Sequence, residues 1–205
     1  MPTPEFATHA ISLGHEPRGE RYIAYRLLTA ARGSVTGLVR RSSKPNGQAI
    51  IDLFDEGEFH IELKPGSVSG FIKDAQITRK RTLLARNYPS FEAATSFAKI
   101  ILANPAHDEN IPEIFELLRK GLDAWETRST PLSTYLKCLY VYCRQEGYPV
   151  KEEWAECLPP LEKAFIVRIL NSPLSELSEE EESLKQAIDS LEHYIRYHTH
   201  IRLEN

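Results

Sequence analysis

The stretch RYIAYRLLTAARGSVTGLVRR, residues 21–41, indicates how the first part of the chain folds. In its second half apolar and polar positions alternate, so Val35 and Val39 fall on one face of a strand and Arg40 falls on the other. The first half is an apolar segment with strand propensity, and the ARGS sequence between the two halves is a turn signal. The stretch therefore predicts two consecutive strands joined by a tight turn.

Three more segments of the first 80 residues have the same character. They are Thr8–Leu13, Glu58–Lys64 and Gly70–Arg79. The turn signals EPRGE, KPNG, DEGE and KPGS lie between the segments. Five short strands separated by turns rich in Gly and Pro predict a small barrel or sandwich.

After about Lys80 the apolar residues recur with the 3.6-residue period of a helix. One helix is expected after Asn110, because Pro112 and Glu113 follow at the spacing of a helix N-terminus. Its apolar stripe consists of Ile111, Ile114, Phe115, Leu118, Leu122 and Trp125. The second part of the chain is therefore expected to begin a helical bundle.

Three further helices are expected towards the C-terminus. The first opens at Thr130 and Pro131 and ends near Gly147, and the second is LEKAFIVRIL, residues 161–170. The last begins with Ser178 and Glu181 in capping-box spacing. The pattern as a whole predicts an α+β protein, with a five-stranded β-barrel followed by helices.

Charge is distributed unevenly along this chain of 205 residues, whose formal net charge is -4. Residues 1–87 hold 13 Lys and Arg against 9 Asp and Glu, whereas residues 88–205 hold 12 against 20. Opposite signs in the two parts indicate two surfaces with different partners. The acidic run Glu179–Glu182 suits a helix N-terminus, where the helix dipole favours negative charge, and a protein-binding role is its second interpretation.

Motifs for common enzyme and metal sites are missing from the sequence. It has no P-loop, no dinucleotide fingerprint and no H-E-x-x-H, and GSVSG carries Val68 where a nucleophile would stand. Cys138 and Cys143 fall near the apolar face of one helix, so we expect buried structural thiols. We expect the cluster of His193, His198 and His200 to be a solvated helix end.

The chain is expected to be cytoplasmic. Its three cysteines are an odd and sparse set, which is typical of reduced thiols, and the first ten residues, MPTPEFATHA, lack the pattern of a secretory signal. No apolar run of about 18 residues occurs, so no membrane span is expected.

Four segments together resemble the bacterial recombination mediator RecO. They are HAISLGHEPRGERYIAYRLLTAARGSVTGLVRRSSKP (9–45), GFIKDAQITRKRTLLARNY (70–88), EIFELLRKGLDAW (113–125) and YLKCLYVYCRQEGYPV (135–150). The resemblance implies an N-terminal OB-fold barrel, residues 1–80, packed against an all-helical domain, residues 81–205. It implies a protein that is not an enzyme, binds single- and double-stranded DNA without sequence preference, and anneals strands. The implied partners are RecR and single-stranded-DNA-binding protein, with which the family loads recombinase in the bacterial cytoplasm at the nucleoid.

The chain departs from the RecO pattern at one point. Many members carry a four-cysteine zinc module after the Gly-Tyr-x-Pro segment, but here Gly147, Tyr148 and Pro149 are followed by Cys157 alone. We therefore expect no zinc and no other cofactor.

OB-folds bind strands across one barrel face and its flanking loops. On the resemblance, the predicted DNA-binding residues are Arg32, Arg40, Arg41, Lys44, Arg79, Lys80, Arg81 and Arg86. Ordinary solvated charge is the alternative for the cluster around Arg40, and Arg79–Arg81 are as readily explained as a cover for the joint between barrel and helices. Tyr22, Tyr25 and Phe71 either stack on bases or belong to the core.

The helical half is expected, by resemblance, to take the tail peptide of single-stranded-DNA-binding protein, which is acidic and ends in an apolar residue. Such a ligand needs a hydrophobic pocket rimmed by a cation. The candidate cations are Arg119, Lys120, Arg128 and Lys137. A protein-interaction adaptor, with an OB-like barrel that no longer binds DNA strongly, is the alternative function, and the acidic second part of the chain favours it.

Overall fold

The five predicted strands are present in the computed structural model, which describes residues 5–41, 51–63 and 66–203. They are β1 (Glu5–Arg18), β2 (Tyr22–Thr29), β3 (Gly33–Arg40), β4 (Glu56–Leu63) and β5 (Ser69–Arg79). The strands hydrogen-bond in the order β1-β2-β3-β5-β4 and the ring closes from β4 back to β1. Neighbours are antiparallel except for the parallel pair β3 and β5. This five-stranded closed barrel is OB-like and confirms the predicted architecture.

Alternation along the strands places one set of side chains inside the barrel. The buried interior consists of Ala10, Tyr25, Leu27, Val35, Ile51, Phe59, Ile61 and Leu63, with partly buried apolar residues packed against it. Tyr25 therefore belongs to the core, which decides between the two interpretations that its sequence position left open.

Five α-helices lie within the described residues. They are α1 (Tyr88–Ala103), α2 (Ile111–Thr127), α3 (Pro131–Gln145), α4 (Pro160–Asn171) and α5 (Glu181–His198). The chain divides into two compact units. The barrel unit combines Met1–Arg81 with Pro105–Phe115, and the helical unit combines Thr82–Asn104 with Glu116–Asn205.

Helix α1 was not anticipated, because its apolar residues are spread over more than its buried face and blur the 3.6-residue period. Phe91 and Leu102 are only half-buried, although both are large and apolar. The buried residues are Ser90, Ala93, Ala94, Phe97, Ala98, Ile100 and Ile101. The helix nevertheless carries a local start signal. The Asn87 side chain accepts a hydrogen bond from the Ser90 amide at 3.2 Å, as an N-cap does.

The ends of α3 and α5 differ in how well their sequence signals worked. Gly147 takes a positive φ of 83° after α3, and the Tyr148 amide donates to the Cys143 carbonyl, so the expected glycine stop is confirmed. The expected cap of α5 at Ser178 is wrong. The helix begins at Glu181 with Glu180 as its N-cap, and no side-chain cap bond is formed there.

The cysteines of the helical unit follow the expectation for structural thiols. Cys138 and Cys143 are buried and Cys157 is exposed. Burial raises the pKa of Cys138 and of Cys143 to about 12. Both thiols are therefore protonated at neutral pH, and only the thiolate binds metals well.

Across the residues that the structure describes, no helix is long and apolar enough to cross a bilayer.

Candidate nucleic-acid interface

The outer surface of the barrel carries a row of alternating cations and an aromatic ring. Arg18 of β1 lies opposite Tyr22 of β2, which lies opposite Arg40 of β3. Residues that face one another in adjacent strands point to the same side of the sheet, and adjacent strands are about 4.8 Å apart. The row therefore has an arginine on each side of Tyr22 on one face of the sheet.

The next two rows continue this surface onto β5. One row runs from Glu16 through Ala24 and Leu38 to Phe71, and the other joins Arg26, Thr36 and Ser69. A shallow cavity of about 410 Å³ lies over these rows. Its lining consists of Glu16, Arg18, Arg26, Thr36, Leu38 and Ser69. We call the surface formed by Arg18, Tyr22, Arg26, Arg40 and Phe71 the arginine face.

Two aromatic side chains of the arginine face are available to a ligand. The Tyr22 and Phe71 rings pack with their centroids 5.8 Å apart, and Phe71 is 42% exposed. Exposed aromatic rings on a sheet are the groups on which nucleic-acid bases stack. Their position favours a surface role for Tyr22 and Phe71, in contrast to the buried Tyr25.

The arginines of this surface are little compensated by carboxylates. Arg26 approaches Glu16 at 3.5 Å, and both side chains are about half exposed. Arg18, Arg40 and the exposed Arg41 form no ion pair within the described ranges. The Arg41 amide donates to the Arg21 carbonyl at 2.7 Å, so two further exposed arginines lie at the end of the face. The surface thus carries a positive field with little internal neutralisation.

Arg32 does not join the arginine face. It precedes β3, whereas Arg40 ends that strand, and eight residues of strand span roughly 25 Å. The Arg32 guanidinium instead lies over the Phe6 ring, 4.5 Å from its centroid. The structure therefore separates the predicted basic residue of the β2–β3 turn from those at the end of β3.

Arg81 is a correction to the predicted DNA contacts, because it is buried. Its Nη2 lies 2.6 Å from Glu56 Oε2, and its Nη1 donates to the Phe54 carbonyl at 3.3 Å. Burial raises the pKa of Glu56, but hydrogen bonds from His9 and Arg81 lower it, and the pKa lies below its usual value. Arg81 thus neutralises a buried carboxylate and is withdrawn from the surface.

The other basic residues that were predicted around Arg81 are paired or do not belong to the arginine face. Lys80 lies 3.4 Å from Asp52 and 3.5 Å from Asp55. Arg79 is half-buried at the end of β5, opposite Glu56. Arg86 belongs to the helical unit, where it is exposed in a short 3-10 turn. Lys44 lies outside the described residues.

Two of the four cations predicted to bind a peptide are engaged within the helical unit. Arg119 donates to the Glu116 carboxylate through Nε and Nη2 at 3.0 and 2.7 Å. Lys137 Nζ donates to the carbonyls at the end of α4, to Leu170 at 3.2 Å and to Ser172 at 2.5 Å, and burial lowers its pKa. Lys120 and Arg128 are exposed.

A larger cavity of about 670 Å³ lies in the helical unit between the starts of α1 and α3 and the side of α5. Five carboxylates line it, those of Glu92, Glu179, Glu181, Asp189 and Glu192. Its one lining cation among the described residues is Lys185, which lies 2.6 Å from Glu181. We call this cavity the acidic groove. Arg119, Lys120, Arg128 and Lys137 are not among the residues that line it.

Sequence reasoning missed Arg18 and Arg26 as site residues. Arg26 lies between Tyr25 and Leu27, both interior, so strict alternation along β2 was the signal that could have placed it outside. Arg18 was assigned to a turn, but β1 continues through it as the partner of Tyr22.

Comparisons with known proteins add no relative. No family model matches the chain, and a search among curated proteins finds no match either. In the described part of the chain, no three His, Cys, Asp or Glu side chains are grouped as metal ligands.

Proposed function

We propose that this protein binds single-stranded DNA without sequence preference, across the arginine face of its barrel. The observation that supports this most is the row Arg18–Tyr22–Arg40, in which two arginines without an ion pair among the described residues flank an aromatic residue across the sheet. Arginines neutralise phosphates and release counterions, and aromatic rings stack on any base. A single strand with its bases turned towards the sheet uses both kinds of group.

We propose, on the resemblance to RecO, that this binding serves DNA repair and recombination. The protein then also holds double-stranded DNA, anneals complementary strands, and helps load recombinase together with RecR and single-stranded-DNA-binding protein. Annealing follows from the same surface, because neutralised phosphates of one strand repel a second strand less. The proposed location is the bacterial cytoplasm, at the nucleoid.

A matched pair of charge reversals tests the binding surface. The double variant Arg18→Glu/Arg40→Glu changes both ends of the row, and Arg32→Glu/Arg86→Glu makes the same charge change at residues outside the arginine face. Fluorescence anisotropy with labelled oligo-dT, over a range of salt concentrations, gives affinity and salt slope. We expect the first variant to bind more weakly and to flatten the slope by about 0.7 for each phosphate that the protein no longer neutralises. The second variant should keep a slope near that of wild type.

Two outcomes would overturn the proposal. One is an unchanged affinity and slope in Arg18→Glu/Arg40→Glu when circular dichroism shows a folded protein. The other is an equal loss of affinity in both variants, which would mean that net charge and not the arginine face governs binding. Oligo-dT, oligo-dA and mixed sequences should bind with similar affinity, because phosphate contacts carry no sequence information.

The aromatic part of the proposal has its own test. Phe71→Ala removes the exposed ring without changing charge, and base stacking contributes about 1–3 kcal/mol per base. We expect weaker binding with an unchanged salt slope, which distinguishes the removal of a stacking ring from the removal of a cation that neutralises a phosphate.

The second candidate function is that of a protein-interaction adaptor whose barrel has lost strong DNA binding. The acidic groove is the observation that favours it, since its volume suits a ligand and its five carboxylates repel DNA. A mobility shift at low salt separates the two functions: the adaptor alone predicts no shift with wild-type protein.

A further inference from the structure

We propose that the acidic groove of the helical unit binds a segment of a partner protein in which apolar side chains are flanked by Lys or Arg. This site goes beyond the proposed DNA binding and does not depend on it. The groove also differs from the pocket expected for an acidic tail peptide, because it is rimmed by carboxylates and not by unpaired cations.

The floor of the groove is apolar. Ala93 of α1, Leu132 of α3 and Ile188 of α5 line it together with Pro89 and Pro131. Its volume of about 670 Å³ lies within the range of roughly 300–1,000 Å³ that is typical of ligand pockets. Burying apolar side chains there removes apolar surface from water, which is the main favourable term in association. The floor therefore selects a ligand with apolar groups.

Some carboxylates around this floor are held in place by the fold. Glu179 accepts hydrogen bonds from the Leu132 and Ser133 amides at 3.3 and 3.1 Å. Glu192 accepts from the Tyr135 hydroxyl at 3.3 Å and from Arg196 at 3.2 Å. The hydrogen bond from Lys185 lowers the pKa of Glu181, which keeps that carboxylate ionised. These groups supply fixed negative charge.

Two carboxylates remain to meet a ligand directly. Asp189 is exposed on α5, and its side chain forms no hydrogen bond or ion pair within the described ranges. Glu92 is exposed on α1, and its carboxylate accepts, among the described residues, one long hydrogen bond of 3.4 Å from the Tyr88 hydroxyl. The Tyr88 ring is itself 71% exposed at the rim. A lysine or arginine of the ligand can therefore pair with either carboxylate and pass over an aromatic face.

The charge of the groove decides between classes of partner. Nucleic acid and acidic peptides are repelled by five carboxylates against one paired lysine. A single metal ion leaves the apolar floor unused. A basic and apolar protein segment satisfies both the floor and the rim, and its positive charge also speeds the encounter.

The test uses the full chain and three synthetic peptides of equal length. The first contains leucines flanked by lysines, the second replaces each lysine with glutamate, and the third replaces each leucine with serine. Fluorescence anisotropy measures their binding. We expect saturable binding of the first peptide and affinities at least about tenfold weaker for the other two.

Two variants locate the binding site. Glu92→Gln/Asp189→Asn removes the two carboxylates that the fold leaves exposed, and Glu152→Gln/Glu176→Gln removes the same charge at exposed positions that do not line the groove. We expect about a tenfold loss of affinity for the first variant and little change for the second. Equal losses in both variants, or no saturable binding by wild type, would overturn the proposal. Preference for the glutamate peptide would restore the acidic-tail hypothesis in place of this one.

The two tryptophans give a readout that does not depend on mutation. The Trp125 indole Nε1–H donates to the Pro131 carbonyl at 3.1 Å, and Pro131 lines the groove. The Trp154 indole donates to Ser190 at 3.0 Å, in a different cavity. In ¹H–¹⁵N spectra the lysine–leucine peptide should shift the Trp125 indole signal more than that of Trp154. A larger shift of the Trp154 signal would place the peptide elsewhere and contradict the proposal.

Discussion

The arginine face and the acidic groove both combine charge with exposed aromatic rings, but their charges are used differently by the fold. Arg18 and Arg40 have no ion-pair partner among the described residues, whereas Glu179 and Glu192 accept hydrogen bonds from neighbouring helices. An uncompensated charge at the surface lowers the stability of the free protein little. It contributes favourable binding free energy when a ligand of opposite charge pairs with it. A charge that is already hydrogen-bonded supports the structure, and its removal is felt as a loss of stability.

The same distinction explains which of the predicted cations are not available to a ligand. Lys80, Arg81 and Lys137 were chosen for their charge, yet each is engaged by carboxylates or carbonyls of its own unit. Arg18 and Arg26 were overlooked because they stand singly in the sequence, although the barrel brings them together on one face. Local clustering of positive charge in the sequence therefore does not identify the cations that are available to a ligand.

The largest effect is expected from Arg81→Met. The substitution removes the guanidinium from the buried Glu56 carboxylate and leaves His9 as its other partner, and breaking a buried ion pair costs about 3–5 kcal/mol. Urea unfolding measures the change. Both tryptophans lie in the helical unit, so tryptophan fluorescence reports the unfolding of that unit. Circular dichroism reports the unfolding of both units, so the barrel transition is seen there. Loss of stability in the barrel transition of less than about 1 kcal/mol would contradict the assignment of Arg81 as a structural cation.

A smaller loss of stability is expected from Glu179→Ala. The Glu179 carboxylate satisfies two amides at the start of α3, where Thr130 forms no side-chain cap bond. Removal of a helix cap costs about 0.5–2 kcal/mol. The loss should appear in tryptophan fluorescence, since Trp125 is bonded to Pro131 of the same turn. Glu182→Ala, an exposed neighbour in the acidic run, is the control and should have a smaller effect.

The strands were predictable from the sequence because their signal is local. Alternation and turn residues located all five strands, and the errors are at ends, as where β1 extends from Thr8–Leu13 to Glu5–Arg18. Helix α1 was not predicted because its apolar residues extend beyond its buried face, which blurs the 3.6-residue period. The start of α5 was misplaced because Glu179 does not join its own helix but caps α3.

The site was less predictable than the fold, because it depends on strand pairing. The end of β3 was correctly predicted to be basic. The neighbours of Arg40 across the sheet are Tyr22 and then Arg18, and no single segment of the sequence determines this strand register. The acidic groove likewise combines residues from α1, α3 and α5. Neither surface exists until distant segments pair, so composition indicated only that two oppositely charged surfaces were to be expected.

A pH dependence smaller than the loss in Glu179→Ala is expected from His9, whose side chain is 33% exposed and partly screened by water. Burial lowers the pKa of His9, but hydrogen bonds to Glu56 at 2.8 Å and Glu58 at 3.1 Å raise it by more, so the net shift is upward. A raised pKa in the folded state stabilises the fold fully below the unfolded value of about 6.5. This contribution is lost as pH rises through the folded pKa.

Urea unfolding of the barrel between mildly acidic and mildly basic pH measures this dependence. Wild type should lose stability as the pH rises through the His9 transition, and His9→Gln should show a flatter profile over the same interval. A profile in the variant that is as steep as in wild type would assign the dependence to another group.

The smallest changes in stability are expected from the charged side chains of the two surfaces that have no partner among the described residues. Arg40→Gln on the arginine face and Asp189→Asn in the acidic groove remove groups that the described part of the fold does not pair. Each should alter the free energy of unfolding by less than about 0.5 kcal/mol, as surface substitutions usually do. Their effects should instead appear in binding, with Arg40→Gln weakening the oligo-dT complex and Asp189→Asn weakening the complex with the lysine–leucine peptide. If either substitution destabilised its unit as much as Glu179→Ala does, the charge would have a structural role. That result would contradict the proposal that the surface binds a ligand.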